Sequence, residues 1–247
     1  EYSLGSDTVS KRLGDAMHLY LLNLPRLEFA AAIPKGDCIT VCMLGTDIDR
    51  ELYSSFLSAE AVAQDLTGLE REACSCSPRM SIGPATQPYG ERIVFLGDCG
   101  VTRLYKDGIG AAYRTAKAAA TAAVFHGVSQ SVFHKYYRPA CRAIVVDNRY
   151  GQVVFFVTTV IQKLRFAQRA VLRMVEREQT KPGKYRRMSA VLWDAFTGSA
   201  PYRDIFFRTL NPAFLLILSG NLGLSFLEMF TPRSRAQHKS ATLAKES

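Results

Sequence analysis

The stretch from Glu91 to Gly127, ERIVFLGDCGVTRLYKDGIGAAYRTAKAAATAAVFHG, constrains this chain more than any other. Arg92 to Leu96 is a short apolar run with β-branched and aromatic residues, the composition of a buried strand. Gly97-Asp98 ends that run, and a loop containing Gly100 leads to Lys106-Asp107-Gly108-Ile109-Gly110. A helix built largely of alanine then runs to Gly127, a glycine placed where a C-terminal cap belongs. Ile109, Ala112, Ala116, Ala119, Ala120 and Ala123 recur at helical spacing, which predicts a smooth face able to lie against a sheet or a flat ligand.

The polar groups of this stretch point to a ligand. Asp98, at a strand end, can accept hydrogen bonds from the hydroxyls of a sugar-like chain. Gly108 and Gly110 leave backbone N–H groups uncovered at a helix start, where the helix dipole also attracts negative charge. One acceptor for hydroxyls and one anion site thus lie a few residues apart. The bland alternative is a strand, loop and helix with no ligand.

RIVFLGDCG followed by KDGIGAAYRTAKAAATAA resembles the second FAD-binding segment of flavoprotein monooxygenases and geranylgeranyl reductases. The resemblance implies that Gly97-Asp98 binds the ribityl or pyrophosphate region of FAD. It counts Lys106 and Asp107 among the cofactor-binding residues as well, and places Gly108-Ile109-Gly110 beside the isoalloxazine ring. The family often carries proline where this chain has Lys106 or Asp107. The earlier stretch LEFAAAIPKGDCITVCMLG is similar to the same family's strand that ends in Phe/Ile-Pro and turns into a hairpin at the substrate cavity. By that likeness Phe29, Ile33 and Pro34 are the substrate-side residues.

The fold expected from this resemblance is α/β with α+β character: an incomplete FAD/NAD(P)-binding flavoprotein fold. Residues 1–90 are a substrate-domain portion with antiparallel strands, 91–138 the returning FAD-binding segment, 139–230 a helical C-terminal region and 231–247 a disordered basic tail. Three apolar runs, His18 to Leu24, Leu27 to Ile33 and Cys38 to Leu44, are divided by turn residues and predict an antiparallel meander. Residues 1–15 are polar and predict a loop or a frayed start. Asp49 to Leu57 and Ala59 to Leu66 predict helices, and Glu72 to Ser81 a further strand. Ser129 is a good N-cap, Pro139 suits a first helical turn, and residues 140–163 favour one long helix despite their strand-like YGQVVFFVTTVIQ. Phe166 to Glu178, Met188 to Phe196 and Tyr202 to Leu210 predict further helices.

The 247 residues are 48% hydrophobic and 21% charged, which excludes a disordered chain and leaves room for a real core. Enzymes of this type open with a strand, a G-x-G-x-x-G turn and a helix that hold the pyrophosphate. The chain has no such turn; Gly108-Ile-Gly-Ala-Ala-Tyr113 has tyrosine at the third glycine position and lacks the acidic residue that would take the ribose. Together with Glu1 in place of methionine, this leads to the expectation of the later half of a longer flavoprotein, inactive without its missing N-terminal FAD-binding half. The implied cofactor is FAD, with NAD(P)H or another external electron donor. The implied substrate is apolar and isoprenoid- or lipid-like. A flavin monooxygenase or halogenase relative is the nearest enzymatic alternative. No catalytic nucleophile–base pair stands out, since His18, His126, His134 and His238 lie in unrelated contexts.

The six cysteines fit no zinc spacing, so no metal is expected; buried reduced thiols are favoured over a redox-active Cys74/Cys76 pair. The net charge of +9 is concentrated, with nine Lys or Arg between Lys163 and Arg187 against Glu176 and Glu178. No nucleic-acid module accompanies it. Arg165, Arg169, Arg173 and Arg177 recur every four residues, and Ala213 to Leu227 is fifteen residues without a charge, short of the about 20 apolar residues a spanning helix needs. These two features carry the rival reading, a non-enzymatic module docked on an anionic membrane. The expected location is cytoplasmic, with a peripheral membrane position compatible with either reading.

Overall fold

A computed structural model of the protein describes residues 1–66, 75–180 and 186–230. The chain is mixed α/β, dominated by helix, with a small antiparallel sheet. It divides into two compact units between Met80 and Ser81. The expected tail 231–247, most of the turn after Gln179, and Cys74 lie outside the described residues.

The first unit contains β1 (Tyr2–Ser3), α1 (Ser6–Leu13), β2 (His18–Tyr20), β3 (Leu27–Lys35), β4 (Cys38–Gly45), α2 (Arg50–Leu57) and α3 (Glu60–Leu66). The strands form one antiparallel sheet in the order β1-β4-β3-β2, so the expected meander is present with β1 added at its edge. Proline is tolerated inside β3 because β2 ends its pairing at His18↔Ala32. Pro34 thus lies beyond the part of β3 that β2 covers, in the edge-like end of the strand that pairs only with β4, opposite Ile39. Ala30, Ala32 and Ile39 pack with Phe56 and Val62 in a continuous core. Asp49 caps α2, accepting from the Leu52 N–H at 2.8 Å.

Residues 1–15 are not a loop. Val9 and Leu13, one helical turn apart, are buried in the core and hold α1 in place, and Gly14 ends it with positive φ. Two apolar residues in a polar run are too weak a periodic signal for a helix; the tertiary contact supplies the rest.

The second unit opens with β5 (Tyr89–Gly90) and β6 (Ile93–Val94), a two-stranded antiparallel ribbon. A 3₁₀ turn follows at Gly97–Cys99, then α4 (Gly108–His126), α5 (Gln130–Tyr136), α6 (Arg138–Lys163), α7 (Arg165–Gln179), α8 (Arg187–Thr197), α9 (Tyr202–Thr209) and α10 (Pro212–Glu228). The expected buried strand Arg92 to Leu96 is corrected to the short β6. Ile93 is 57% and Phe95 47% exposed, because a two-stranded ribbon has no further strand to cover its apolar residues. Residues 75–80 of the strand expected at 72–81 have no regular structure.

α4 ends at Gly127, Ser129 caps α5, Pro139 sits in the first turn of α6, and α6 is one uninterrupted helix, all as the sequence indicates. The buried face of α4 is Ala111, Thr115, Ala119 and Ala122, rotated from the face expected: Ile109 is 90% exposed and Ala120 is exposed. Cys99 and Cys76 are exposed and Cys38 and Cys42 half-buried, so among the described cysteines the reading of buried thiols holds fully only for Cys141, where burial pushes the thiol pKa up.

Candidate functional site

The loop from Gly97 to Asp107 is tied down at its back and open at its front. Gly97, with positive φ, is buried against Ala112 of α4, and its N–H donates to Thr115 Oγ1 at 3.1 Å. Gly100 passes so close to the preceding chain that a Cβ there would fall 2.2 Å from the Phe95 carbonyl oxygen. Tyr137 donates its hydroxyl to that same carbonyl. Val101 and Leu104 are buried.

Asn148 of α6 reads the loop backbone twice. Its side-chain amide donates to the Thr102 carbonyl at 2.8 Å, and its oxygen accepts from the Leu104 N–H at 2.9 Å. Arg103, 3% exposed at its side chain, is the hub. It donates to Asp107 Oδ2 at 2.5 Å, to the Ala200 carbonyl at 2.7 Å and to the Gly198 carbonyl at 3.2 Å. It also lies 3.5 Å from Asp147, and its guanidinium sits 4.7 Å from the centre of the Tyr202 ring. Asp147 in turn accepts from the Tyr202 and Arg203 N–H groups at 3.1 and 2.9 Å, which caps α9 from a distant helix. Burial pushes the Tyr202 hydroxyl pKa up, so the group stays protonated and donates to the Leu104 carbonyl. Arg103, Asp147, Asn148 and Tyr202 are residues that sequence reasoning missed. Their pairing is long-range and no local pattern signals it.

Asp107 is the N-cap of α4, in left-handed conformation (φ 64°), and accepts from the Gly110 N–H at 3.1 Å. Its carboxylate also bonds Arg103 and, at 3.0 Å, Arg114. The anion site expected at this helix start is therefore partly filled by the chain's own carboxylate. Gly110 is required by that cap, since a Cβ there would fall 2.0 Å from Asp107 Oδ1. The left-handed Asp107 also has a local consequence. Proline cannot adopt φ 64°, so at position 107 the loop enters the helix by a route closed to proline. Lys106 is half-buried; its stem and that of Asp107 lie against Gly198.

At the front, Asp98 and Gly108 are brought together. Asp98 is exposed in the 3₁₀ turn, and its carboxylate oxygens lie 3.8 and 3.9 Å from where a Gly108 Cβ would be, with nothing else that close. Among the described residues no group bonds the Asp98 carboxylate, and none accepts from the N–H groups of Gly108 and Ile109. Among the described residues a free acceptor at Asp98 thus lies near a helix start that carries two free donors, a glycine and the exposed Ile109. Such an arrangement can accept from ligand hydroxyls at Asp98 and donate to ligand acceptors from the two N–H groups. It offers nothing for a pyrophosphate beyond that helix start.

Phe29 is 1% exposed, buried within the sheet of the first unit. It is not open to a substrate, and its packing explains its presence. Ile33 and Pro34 are half-buried near the end of the β3–β4 hairpin. Among the described residues there is no cluster of three or more metal-ligating side chains.

No family model, curated protein or solved structure matches the chain.

Proposed function

We propose that the Gly97–Asp107 loop and the first turn of α4 hold the ring and ribityl end of FAD, and that the protein is an FAD-dependent oxidoreductase acting on an apolar, isoprenoid- or lipid-like substrate. The observation that carries this reading is the closeness of the Asp98 carboxylate, unbonded among the described residues, to the bare Gly108 backbone, with the free N–H groups of Gly108 and Ile109 at the same helix start. The fold would then be the returning part of an FAD/NAD(P)-binding flavoprotein, with the pyrophosphate contacts supplied from outside these 247 residues. Two left-handed non-glycine residues, Tyr105 and Asp107, flank Lys106. Backbone strain of this kind clusters at ligand sites and persists where surrounding contacts over-determine it, as Arg103 and Asn148 do for this loop.

When bound, flavin supplies hydride chemistry, drawing electrons from NAD(P)H or another external donor; the protein supplies position and electrostatics. Asp98 would orient the ribityl chain. The N–H groups of Gly108 and Ile109, with the positive end of the α4 dipole, would favour negative charge developing on the ring edge near them. Ile109 would cover an apolar ring face. A monooxygenase or halogenase relative uses the same contacts and differs in what reacts with the reduced ring.

Asp98→Ala is expected to weaken FAD binding roughly ten- to a hundredfold, from the loss of a charge-assisted hydrogen bond of about 1.5–3 kcal/mol. The side chain is exposed and holds no partner among the described residues, so thermal stability should stay unchanged. Flavin titration monitored by fluorescence quenching checks this; equal affinity in a folded Asp98→Ala protein removes Asp98 from the site.

A further inference from the structure

Helix α10 has its polarity reversed. A helix on the surface of a water-soluble domain turns apolar residues inward and polar ones outward. In α10 the deeply buried residues are Phe214, Asn221 and Ser225, whereas Leu216 is 77% and Leu227 63% exposed, followed by Phe230 at 72%. Asn221 is inside because α7 needs it there: its side-chain oxygen accepts from Arg177 at 3.1 Å. Arg173 reaches Glu228 at 2.5 Å, so the two helices run antiparallel, and two of the four stripe arginines are spent on holding α10.

The rim of this face is basic. Lys163 and Arg169 are exposed, and neither has an ion-pair partner among the described residues. They flank Leu164 and Phe166, whose ring packs on Phe226 at 5.6 Å, which packs on Phe230 at 5.2 Å. An apolar outer face joined to a basic corner within one packed unit is the pattern of an interfacial membrane helix. A second copy of the chain would set this basic rim against itself, which like charges oppose.

We infer that the outer face of α10, with the Lys163–Arg169 corner of α6 and α7, docks in the headgroup region of an anionic phospholipid bilayer. The helix lies in the interface and does not cross. It is antiparallel to α7, and a crossing α10 would carry Arg173 and Arg177 into hydrocarbon with it. Its 66° bend from α9 also breaks the longer apolar run that could otherwise span. α6 is 26 residues long, and its most apolar 18-residue stretch has a mean hydropathy of 1.2. Its uncharged part is thirteen residues, Tyr150 to Gln162, about 20 Å against a hydrocarbon core of about 30 Å. Its other half carries Asp147 and Asn148, which are committed to the Arg103 hub and its loop.

The inference does not depend on the flavin reading. Its test is flotation of the full chain with vesicles of phosphatidylcholine, alone or mixed with phosphatidylglycerol, at low and high salt. Binding to the mixed vesicles should weaken with salt. K163Q/R169Q should bind the mixed vesicles roughly thirtyfold more weakly, at about 1 kcal/mol per basic residue, with little change on phosphatidylcholine alone. L216D/F230D alters only exposed side chains, so it should fold, by circular dichroism, and lose binding to both vesicle types. Absence of binding at low salt, or wild-type binding by L216D/F230D, overturns the inference. So does a stable dimer that L216D/F230D dissociates and that fails to float.

Discussion

Arg103→Ala is expected to cost the second unit about 3–5 kcal/mol, the loss that follows when one partner of a buried ion pair is deleted and the other charge stays. The guanidinium is almost wholly enclosed and serves Asp107, Asp147 and the carbonyls of Gly198 and Ala200 together. Alanine would leave Asp147, 17% exposed at its side chain, without its cation, and Asp107, 22% exposed, with Arg114 alone. It would also remove the surface on which the Tyr202 ring rests. Against a typical stability of about 5–15 kcal/mol, such a loss approaches unfolding at ordinary temperature. Lysine keeps the charge but lacks the planar fork that reaches several acceptors at once, so Arg103→Lys should recover only part of the loss. Urea unfolding followed by circular dichroism checks both, and a change under 1 kcal/mol for Arg103→Ala would show that the hub does not hold the loop.

Gly110→Val and Gly110→Ala should both displace Asp107 from its cap, with valine worse. A Cβ 2.0 Å from Asp107 Oδ1 cannot coexist with the present rotamer. Moving Asp107 forfeits an N-cap worth about 1 kcal/mol and disturbs the contact with Arg103, so a total near 2–4 kcal/mol is expected. The cause is separable from ligand crowding by a double-mutant cycle. In an Asp107→Ala background, Gly110→Ala should become nearly neutral for stability in the absence of any flavin. If it costs the same in both backgrounds, the glycine is required for something other than the cap.

The glycine case shows what the sequence allowed one to see. That Gly108 and Gly110 stand at a helix start was legible from the Lys-Asp-Gly-Ile-Gly run and the alanines after it. Which of the two leaves room for a ligand was not, because Asp107 folds back over Gly110 only in the left-handed conformation it takes here. The ends of α4, α5 and α6 were legible because Gly127, Ser129 and Pro139 act within one turn of themselves. Helix α1 was not, since its two buried residues are held by the sheet rather than by local pattern. Nor was the exposure of Ile93 and Phe95, whose strand-like composition meets only a two-residue partner. The Arg103 hub joins residues almost a hundred positions apart, and nothing near Arg103 in the sequence distinguishes it from a surface arginine.

The proposed flavin position lies between Asp98 and the first turn of α4. It is tested most directly by amide chemical shifts of the isotopically labelled 247-residue chain titrated with FAD and with riboflavin, a method that reads even weak binding. The account predicts saturable shifts of the Gly108 and Ile109 amides with both ligands, since both carry the ring and ribityl chain. It predicts that Asp98→Ala moves the saturation to higher ligand concentration. Shifts confined to other residues, or the same titration in wild-type and Asp98→Ala protein, would contradict it.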